Sequence, residues 1–328
     1  MTGIAEESRN RSRDEVMEMN AGESPPAAEG RAPAPLTTIG LPVFNGEDFL
    51  ERALESLLAQ DYPNLQIIVA DNGSTDRTEQ ICRSFARRDS RIDYHRSPVN
   101  RGAAWNYNRI VHFAEGDYFK WAAHDDLCAP TFVSRCVAAL EDAGDAAVLA
   151  YPRTVVIDLD DQVVGDFKDD MDLREELPHE RLRHFLSVRT EYHPVFGVIR
   201  TPALLETDLI GRYAGSDVVL LAQLALRGQF VEVPEPLFMR RFHARTSVNA
   251  NPGAKERAAW FDPGRRGPSL PILEQTLRMI SAIRAEPGLA RAERLRCLGA
   301  VGRHLALPRL RHMAGEIRAA AADRIRRQ

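Results

Sequence analysis

Two adjacent carboxylates, Asp125 and Asp126, directly follow the apolar segment YFKWAA and the single residue His124. Carboxylates this close repel each other, so a divalent cation such as Mg²⁺ or Mn²⁺ would stabilise the pair. Such a cation can bridge the phosphates of a nucleotide diphosphate and stabilise the charge of a leaving group. The same residues also suit a turn, and Asp126 could cap a helix beginning near Pro130. The pair alone therefore leaves metal binding and a structural role open.

Alternating strands and helices are predicted to place these carboxylates beside two other polar segments. Short apolar runs, which begin with TTIGLPVF and LQIIVA, alternate with amphipathic stretches, as in an open parallel sheet with crossover helices. The residues that follow the strands of such a sheet gather on one edge, where ligands bind. We therefore predict one cleft that is lined by residues 42–45, 71–76 and 125–126.

Side-chain types at the segment ends predict how the helices begin. Asn45 is expected to cap the helix after the first strand, and Thr75 or Asp76 the helix after the second. Later in the chain, Ser216 is the expected cap of the helix SDVVLLAQLAL, with Gly228 just past its end. Two further strands, FVEVP and PLFMRRFH, are predicted to follow that helix.

Composition divides the chain into four parts. Residues 1–35 are rich in Ala, Pro, Gly, Glu and Arg, which predicts a disordered tail. The strand and helix pattern covers residues 36–245. Residues 246–270 are rich in Gly, Pro and Arg without periodicity, which indicates a mobile lid or an acceptor loop. Residues 271–328 have a helical pattern.

Charge and apolar content exclude several classes of protein. The net charge of −4 and the pI near 6.2 provide no basic field for a nucleic acid. No stretch approaches the roughly 20 apolar residues of a membrane span, and the charged N-terminus lacks a signal-peptide core. The four cysteines have no zinc-finger or CxxC spacing and are predicted to be buried thiols. We expect a cytoplasmic protein.

The arginine-rich C-terminal part allows two interpretations. Its apolar positions, which include Leu295, Leu298, Val301 and Leu305, repeat at helical spacing. The helices are expected either to pack against the catalytic domain or a second subunit, or to lie on anionic lipid at the inner face of the membrane. Spread basic residues without a compact cluster favour packing.

Three segments carry a resemblance along the N-terminal half. They are GLPVFNGEDFLERALESLLAQDYPNLQIIVADNGSTDRT, NRG at residues 100–102, and EGDYFKWAAHDD. In order and spacing they resemble the family-2 glycosyltransferases, which transfer a sugar from a nucleotide-diphospho-sugar. The resemblance implies an α/β fold of the GT-A type, a Rossmann-like, mostly parallel sheet flanked by helices, here with a C-terminal helical extension. Residues 36–126 would then be the donor-binding half and residues 127–245 the acceptor half.

The resemblance also implies roles for donor-site residues. Pro42, Phe44 and Asn45 would lie beside the base and ribose. Asp71 would accept a hydrogen bond from the base, and because the N–H of uracil suits a carboxylate we expect a UDP-sugar. Arg101 would reach a phosphate by charge-assisted hydrogen bonds. The alternatives are a turn residue at Asp71 and a solvated guanidinium at Arg101.

For the metal, the resemblance implies that Asp126 is the more direct ligand of Mn²⁺ or Mg²⁺ and that Asp125 contacts the ribose or supports the site. This chain has HDD where the family has DxD, which leaves the division between the two carboxylates open. His243 resembles a histidine near the metal or diphosphate, where imidazole would favour Mn²⁺, although a structural role is the alternative. Three neighbouring arginines could hold phosphate or be solvated: Arg240, Arg241 and Arg245.

Asp217, in GSDVVLLAQL, resembles the general base of inverting members, which takes a proton from the acceptor hydroxyl. Free N–H groups at a helix start would also stabilise this carboxylate, and that role is compatible with catalysis. The predicted enzyme is therefore an inverting glycosyltransferase. Its partners would be a nucleotide-sugar donor and a glycan, lipid-linked or small-molecule acceptor.

Two alternative functions follow from the same fold class. A sugar-phosphate nucleotidyltransferase would have a Gly-rich phosphate loop after the first strand, and GLPVFNGED is not one. The absence of GxGxxG also argues against a dinucleotide-dependent dehydrogenase. A catalytically silent binding subunit is disfavoured by the presence of Asp125, Asp126 and Asp217 together.

Overall fold

The computed structural model describes residues 33–188, 190–244, 246–251 and 253–326. Residues Pro35–Gln328 form one compact unit. The predicted tail, residues 1–35, lies outside the described residues except at its end. Arg245, a candidate phosphate contact, also lies outside them.

The first half alternates strands and helices as the apolar pattern predicts. Strands β1, β2 and β4 are almost entirely buried because helices cover both faces of the sheet, whereas in β3, at the sheet edge, only Ile92 is buried. The elements are β1 (Thr37–Val43), α1 (Leu50–Leu58), β2 (Leu65–Asp71), α2 (Thr78–Arg88), β3 (Ile92–Arg96), α3 (Ala103–Phe113) and β4 (Tyr118–Trp121).

The second half is less regular and closes the sheet. Two 3₁₀ turns, Gly144–Ala146 and His193–Phe196, precede strands of this half. The elements are β5 (Leu127–Cys128), α4 (Phe132–Ala143), β6 (Ala147–Ile157), β7 (Val163–Phe167), α5 (Pro178–Ser187), β8 (Val198–Arg200), α6 (Thr201–Leu205), α7 (Ser216–Arg227) and β9 (Gln229–Arg241).

Among the described residues these strands form one mixed sheet in the order β3-β2-β1-β4-β8-β6-β9-β5, with β7 beside β6. Strand β1 pairs in parallel with β2 and β4, and β2 pairs in parallel with β3. Strand β8 runs antiparallel to β4 and β6, whereas β6 and β9 are parallel. The predicted class, a mostly parallel sheet flanked by helices, is confirmed.

Strand β9 corrects the expectation of two strands after α7. The two predicted runs form one strand, because a shift in register accommodates the prolines between them. Pro152 of β6 pairs with Val233 and the next residue, Arg153, pairs with Pro236. A bulge of this kind tolerates residues that lack a backbone donor. The continuous strand carries the RR of RRFH to the same edge as the end of β4.

Helices complete the chain after β9. The segment 246–270, which was predicted to lack periodicity, contains two short helices, α8 (Ser247–Ala250) and α9 (Ala254–Phe261). The helical prediction for the C-terminal part is confirmed by α10 (Pro271–Ala285), α11 (Arg291–Val301) and α12 (Leu307–Arg326), with a π segment at Gly302–Ala306. None of the described helices combines the length and apolar character needed to cross a membrane.

Two predicted helix caps are wrong. Helix α1 begins at Leu50, and Asn45 lies too far upstream to cap it. Helix α7 begins at Ser216 itself, after Gly215 in the left-handed conformation with φ of 83°. Asp76 lies one residue before the N-cap position, Arg77, and its Oδ1 accepts from the N–H of Thr78, 3.0 Å away, at the start of α2. The four cysteines are buried free thiols, as predicted.

Candidate active site

A cavity of about 520 Å³ opens at the carboxyl ends of β1, β2 and β4. This is the edge at which ligands bind in open α/β sheets, and the volume is that of a site for a small ligand. Strand β1 and the loop after it supply Pro42, Phe44 and Asn45 to one wall. The 41% exposed ring of Phe44 offers an apolar surface at this wall. All three residues were predicted for the donor site.

Hydrogen bonds between loops hold this wall in place. The side-chain Oδ1 of Asn45 accepts from the N–H of Thr75 at 2.9 Å, and its own N–H donates to Ser74 Oγ at 2.9 Å. Asn72 donates to Asn100 Oδ1 at 2.9 Å and accepts from the N–H of residue 101 at 3.0 Å. Three loops that are distant in sequence are therefore joined, and the wall is organised before any ligand binds.

Asp71 lies at the end of β2 but beneath the cavity wall. Its side chain is fully buried, and Oδ1 accepts from the N–H of Ser74 at 2.8 Å. Oδ2 accepts from the Tyr94 hydroxyl at 2.9 Å and lies 3.2 Å from Arg96 Nε. Both oxygens thus have protein partners, which makes Asp71 a link between β2, its following loop and β3. Contact between Asp71 and a base stays a prediction.

The two adjacent carboxylates have different surroundings. Asp126 accepts from Arg240 Nη1 at 3.0 and 3.1 Å and from the N–H of Arg241 at 2.9 Å. Its side chain is almost completely buried. Asp125 lines the cavity, and its Oδ2 lies 2.9 Å from His243 Nε2. Arg240, at the end of β9, therefore neutralises the charge of Asp126, whereas Asp125 faces the space that a ligand would occupy.

The charges of this cluster act on each other in both directions. The paired carboxylate of Asp126 holds the pKa of Arg240 above its usual range, whereas burial and the neighbouring Asp125 raise the pKa of Asp126 against the attraction of Arg240. Burial raises the pKa of Asp125, but the hydrogen bond with His243 and nearby positive charge outweigh it, so this pKa lies below its usual range. Asp125 is therefore ionised at neutral pH. An ionised carboxylate beside an imidazole at a cavity wall can hold a cation or a proton.

Arg241 and Phe49 support the cluster from inside the fold. Arg241 is fully buried, donates from Nε to the carbonyl of Asp125 at 2.9 Å, and pairs with Asp161. Its guanidinium lies 4.9 Å from the Phe49 ring, which also packs 4.8 Å from the imidazole of His243. Arg241 therefore has a structural position, and of the two neighbouring arginines that the structure describes, Arg240 lines the cavity.

Asp217 is the second residue of helix α7 and is not among the residues that line the cavity. Burial raises the pKa of its carboxyl group, although N–H groups of the helix start act in the opposite direction. Tyr107 lines the cavity. Burial raises the pKa of its hydroxyl, and the carboxylates of Asp125 and Asp217 raise it further. A catalytic role for Asp217 stays a prediction.

Arg101, like Asp71, is a predicted donor contact that is not among the residues lining the cavity. Its guanidinium is 4.3 Å from the Trp105 ring, on the outer surface of the protein. A stacked arginine of this kind is held by a cation–π contact. A phosphate contact by Arg101 stays a prediction.

Four aromatic residues of the cavity were not predicted from the sequence: Phe49, Tyr107, Phe196 and Trp260. Tyr107 lies on α3, and its position follows from the helix that starts after NRG at the sheet edge. Trp260 lies on α9 and lines the cavity with Ala259 and Pro263. Residues in an aperiodic segment carry no spacing signal, so Trp260 could not have been found. The predicted lid thus contributes a wall of the cavity.

Solved structures with this architecture define the class of fold. S. aureus TarS residues 1–349 in complex with UDP-GlcNAc aligns with 84% of this chain and 74% of that one, at 15% identity and a TM-score of 0.61. The mannosyltransferase PcManGT from Pyrobaculum calidifontis, in complex with GDP-Man and Mn²⁺, aligns with 96% of this chain and 82% of that one, at 18% identity and a TM-score of 0.53. The fold is therefore that of the GT-A glycosyltransferases.

Sequence comparison identifies the family. The family description "Glycosyl transferase family 2" matches residues 38–213. The chain belongs to this family, as the resemblance implied. An uncharacterized glycosyltransferase of Rickettsia typhi is 34% identical over 125 residues, which are 38% of this chain and 38% of that protein. The aligned segments cover between 18 and 38% of the first curated relatives' own lengths.

Proposed function

We propose that the protein is an inverting glycosyltransferase that transfers a sugar from a nucleotide-diphospho-sugar to a hydroxyl acceptor. The observation that carries this proposal is the single cavity that joins the loops after β1 and β2 to the cluster of Asp125, Arg240 and His243. A nucleoside fits the apolar and amide-rich wall, and a diphosphate with a bound divalent cation fits the end formed by Asp125, Arg240 and His243. Catalysis then depends on residues of the second half of the chain.

The donor is proposed to be a UDP-sugar. Phe44 offers a ring face for a base, and Asn72 and Asn100 supply amide groups on the same wall. Structural neighbours are bound to UDP-GlcNAc and to GDP-Man, so this fold accommodates both uridine and guanosine donors. Arg240 is placed to hold a phosphate oxygen without leaving Asp126, because a guanidinium has five N–H donors.

The donor set of the cavity fits Mn²⁺. Among the described residues no group of three or more His, Cys, Asp or Glu side chains is arranged to hold a metal. A carboxylate and an imidazole suffice when the diphosphate supplies further oxygens, which is how such ions bind with nucleotides. We propose Asp125 and His243 as the metal ligands, and we assign to Asp126 the ion pair with Arg240. When bound, the cation would stabilise negative charge on the leaving diphosphate.

Asp217 is proposed to act as the general base. The acceptor hydroxyl attacks the anomeric carbon, the bond from that carbon to the diphosphate oxygen breaks, and the hydroxyl proton moves to the Asp217 carboxylate. Attack from the face opposite the leaving group inverts the anomeric configuration. Burial of Asp217 favours this role, because a raised pKa brings a carboxylate closer to the working pH of a base.

A thermal-shift panel tests the proposal. UDP-, GDP- and dTDP-sugars are added with and without Mn²⁺, and a ligand that binds the native state raises the melting temperature. We expect a shift with UDP-sugars that is larger with Mn²⁺ than without it. The Asp217→Asn variant should bind the donor like the wild type and fail to transfer the sugar. A folded protein that binds none of the donors would refute the proposal.

A further inference from the structure

The C-terminal helices expose an apolar stripe that the proposed function does not use. We define the outer stripe as four aliphatic residues of α11 and α12: Leu295, Leu307, Leu310 and Ile317. Their side chains are 64, 63, 53 and 50% exposed, respectively. Single exposed leucines are common, but four along one continuous helical segment form a surface that favours contact with an apolar partner.

Packing against the domain does not account for the outer stripe. The opposite side of the same segment is already buried, at Cys297, Val301, Leu305 and Met313. The π segment Gly302–Ala306 lies between the two halves of the stripe, where Pro308 has no N–H for the helical ladder. A π turn contains more residues than an α turn, so successive side chains advance by a smaller angle around the helix axis. Leu307 and Leu310 are thereby brought back toward the side of Leu295.

Exposed arginines border the outer stripe along its length: Arg296, Arg303, Arg311 and Arg318. Two acidic residues of the same segment hydrogen-bond to the domain, although Glu293 also lies 3.4 Å from Nη1 of Arg296. Glu293 accepts from the N–H of His179 at 2.8 Å, and Glu316 accepts from the N–H of Ile272 at 3.1 Å. The surface around the stripe is therefore cationic.

The positive charge of these arginines indicates which kind of partner could cover the outer stripe. A symmetric dimer through the stripe would bring the same arginine rows of two copies together, because each copy uses the same patch. Like charges at such an interface are unfavourable. An apolar stripe flanked by exposed arginines suits the boundary between the headgroups and acyl chains of a bilayer that contains anionic lipid.

We propose that the outer stripe docks the protein on the surface of an anionic lipid bilayer. Leu307 and Leu310 would enter the acyl boundary, and Arg311 and Arg318 would contact lipid phosphates. This docking goes beyond the proposed transfer reaction and does not depend on it. Vesicle binding can be measured without donor or acceptor, so either proposal can fail alone.

Vesicle flotation of the full chain tests the docking. The vesicles are phosphatidylcholine alone, or phosphatidylcholine with a quarter of phosphatidylglycerol. We expect binding to the anionic vesicles that weakens as salt is raised. The double variant Leu307→Gln/Leu310→Gln should lose at least about tenfold in partition, since each leucine contributes buried area. Arg311→Gln/Arg318→Gln should lose roughly tenfold or more on anionic vesicles alone.

Leu205→Gln is the matched control, because Leu205 is 55% exposed and lies on α6, outside the stripe. This variant should bind vesicles like the wild type, and all variants should keep the wild-type melting temperature. Absence of vesicle binding by the wild type overturns the proposal, as does wild-type binding by the leucine double variant. Light scattering that detects a dimer, lost in that double variant, would assign the stripe to a second copy instead.

Discussion

Replacing Asp126 with Asn separates a structural carboxylate from a metal ligand. The substitution keeps the size of the side chain and an oxygen that can accept from the N–H of Arg241, which lies 2.9 Å from Oδ1 of Asp126 in the wild type. It removes the charge that faces Arg240 at 3.0 and 3.1 Å. The guanidinium would then lie in a largely buried position without its main partner.

The magnitude follows from the burial of the pair. Breaking a buried ion pair by removing one partner costs about 3–5 kcal/mol. The Arg240 side chain is 24% exposed and Asp125 remains close, so we expect the lower end, about 3 kcal/mol. At roughly 2–4 °C per kcal/mol for a chain of this size, the melting temperature should fall by about 6–12 °C.

Thermal unfolding in EDTA, followed by circular dichroism, measures this change without metal. Asp170→Asn is the matched control, since Asp170 is 57% exposed and only 3.0 Å from the exposed Lys168. An exposed pair contributes about 0–1 kcal/mol, so the control should melt within a few degrees of the wild type. A higher melting temperature for Asp126→Asn would refute the reasoning, because relief of repulsion with Asp125 would then dominate, as in an empty metal site.

Three further predictions concern catalysis and the cavity wall. Asp217→Asn should lower the transfer rate about 10²- to 10⁴-fold, and unchanged turnover would contradict this. Because the raised pKa of Asp217 makes its ionised form costly, the variant should also have a higher melting temperature at pH 7, and this gain should vanish on acidification. As the pH is lowered, the wild-type transfer rate should begin to fall at a pH above the usual pKa of aspartate, because the base must be ionised and its pKa is raised. A rate that stays constant down to about pH 4 would contradict this. Gly102→Ala should lower the free energy of unfolding by about 1–2 kcal/mol and weaken donor binding, since φ of Gly102 is +89° and the new Cβ would lie 2.5 Å from the carbonyl oxygen of Phe261. If the variant keeps both its stability and its donor binding, the close contact between the NRG loop and α9 is refuted.

Local patterns predicted the elements of the sheet because periodicity reflects burial directly. The strands after Leu36 and the crossover helices follow the apolar runs, and the hydrogen bond of Asp76 at the start of α2 joins residues only two positions apart. The cap expected at Asn45 failed because its side chain bonds to Thr75, 30 residues downstream. Nothing in the nearby sequence distinguishes these two uses of a polar side chain at a strand end.

The environment of the two carboxylates depends on contacts that are still more distant. The pairing of Asp126 with Arg240 spans 114 positions, and that of Asp125 with His243 spans 118. Spacing placed HDD at a strand end and RRFH after another strand. It could not tell which carboxylate each basic residue would meet, because that depends on the register of β9 and on the bulge that its prolines require.

Calorimetric titration with UDP tests the central assignment most directly. Wild-type protein and the Asp125→Asn variant are titrated in Mn²⁺ and in EDTA. We expect tight binding by the wild type in Mn²⁺, weaker binding in EDTA, and weak binding by the variant in both, because Asp125 is the carboxylate that faces the cavity. Equal binding by both proteins in Mn²⁺, or no binding of UDP by folded wild-type protein, would contradict the account.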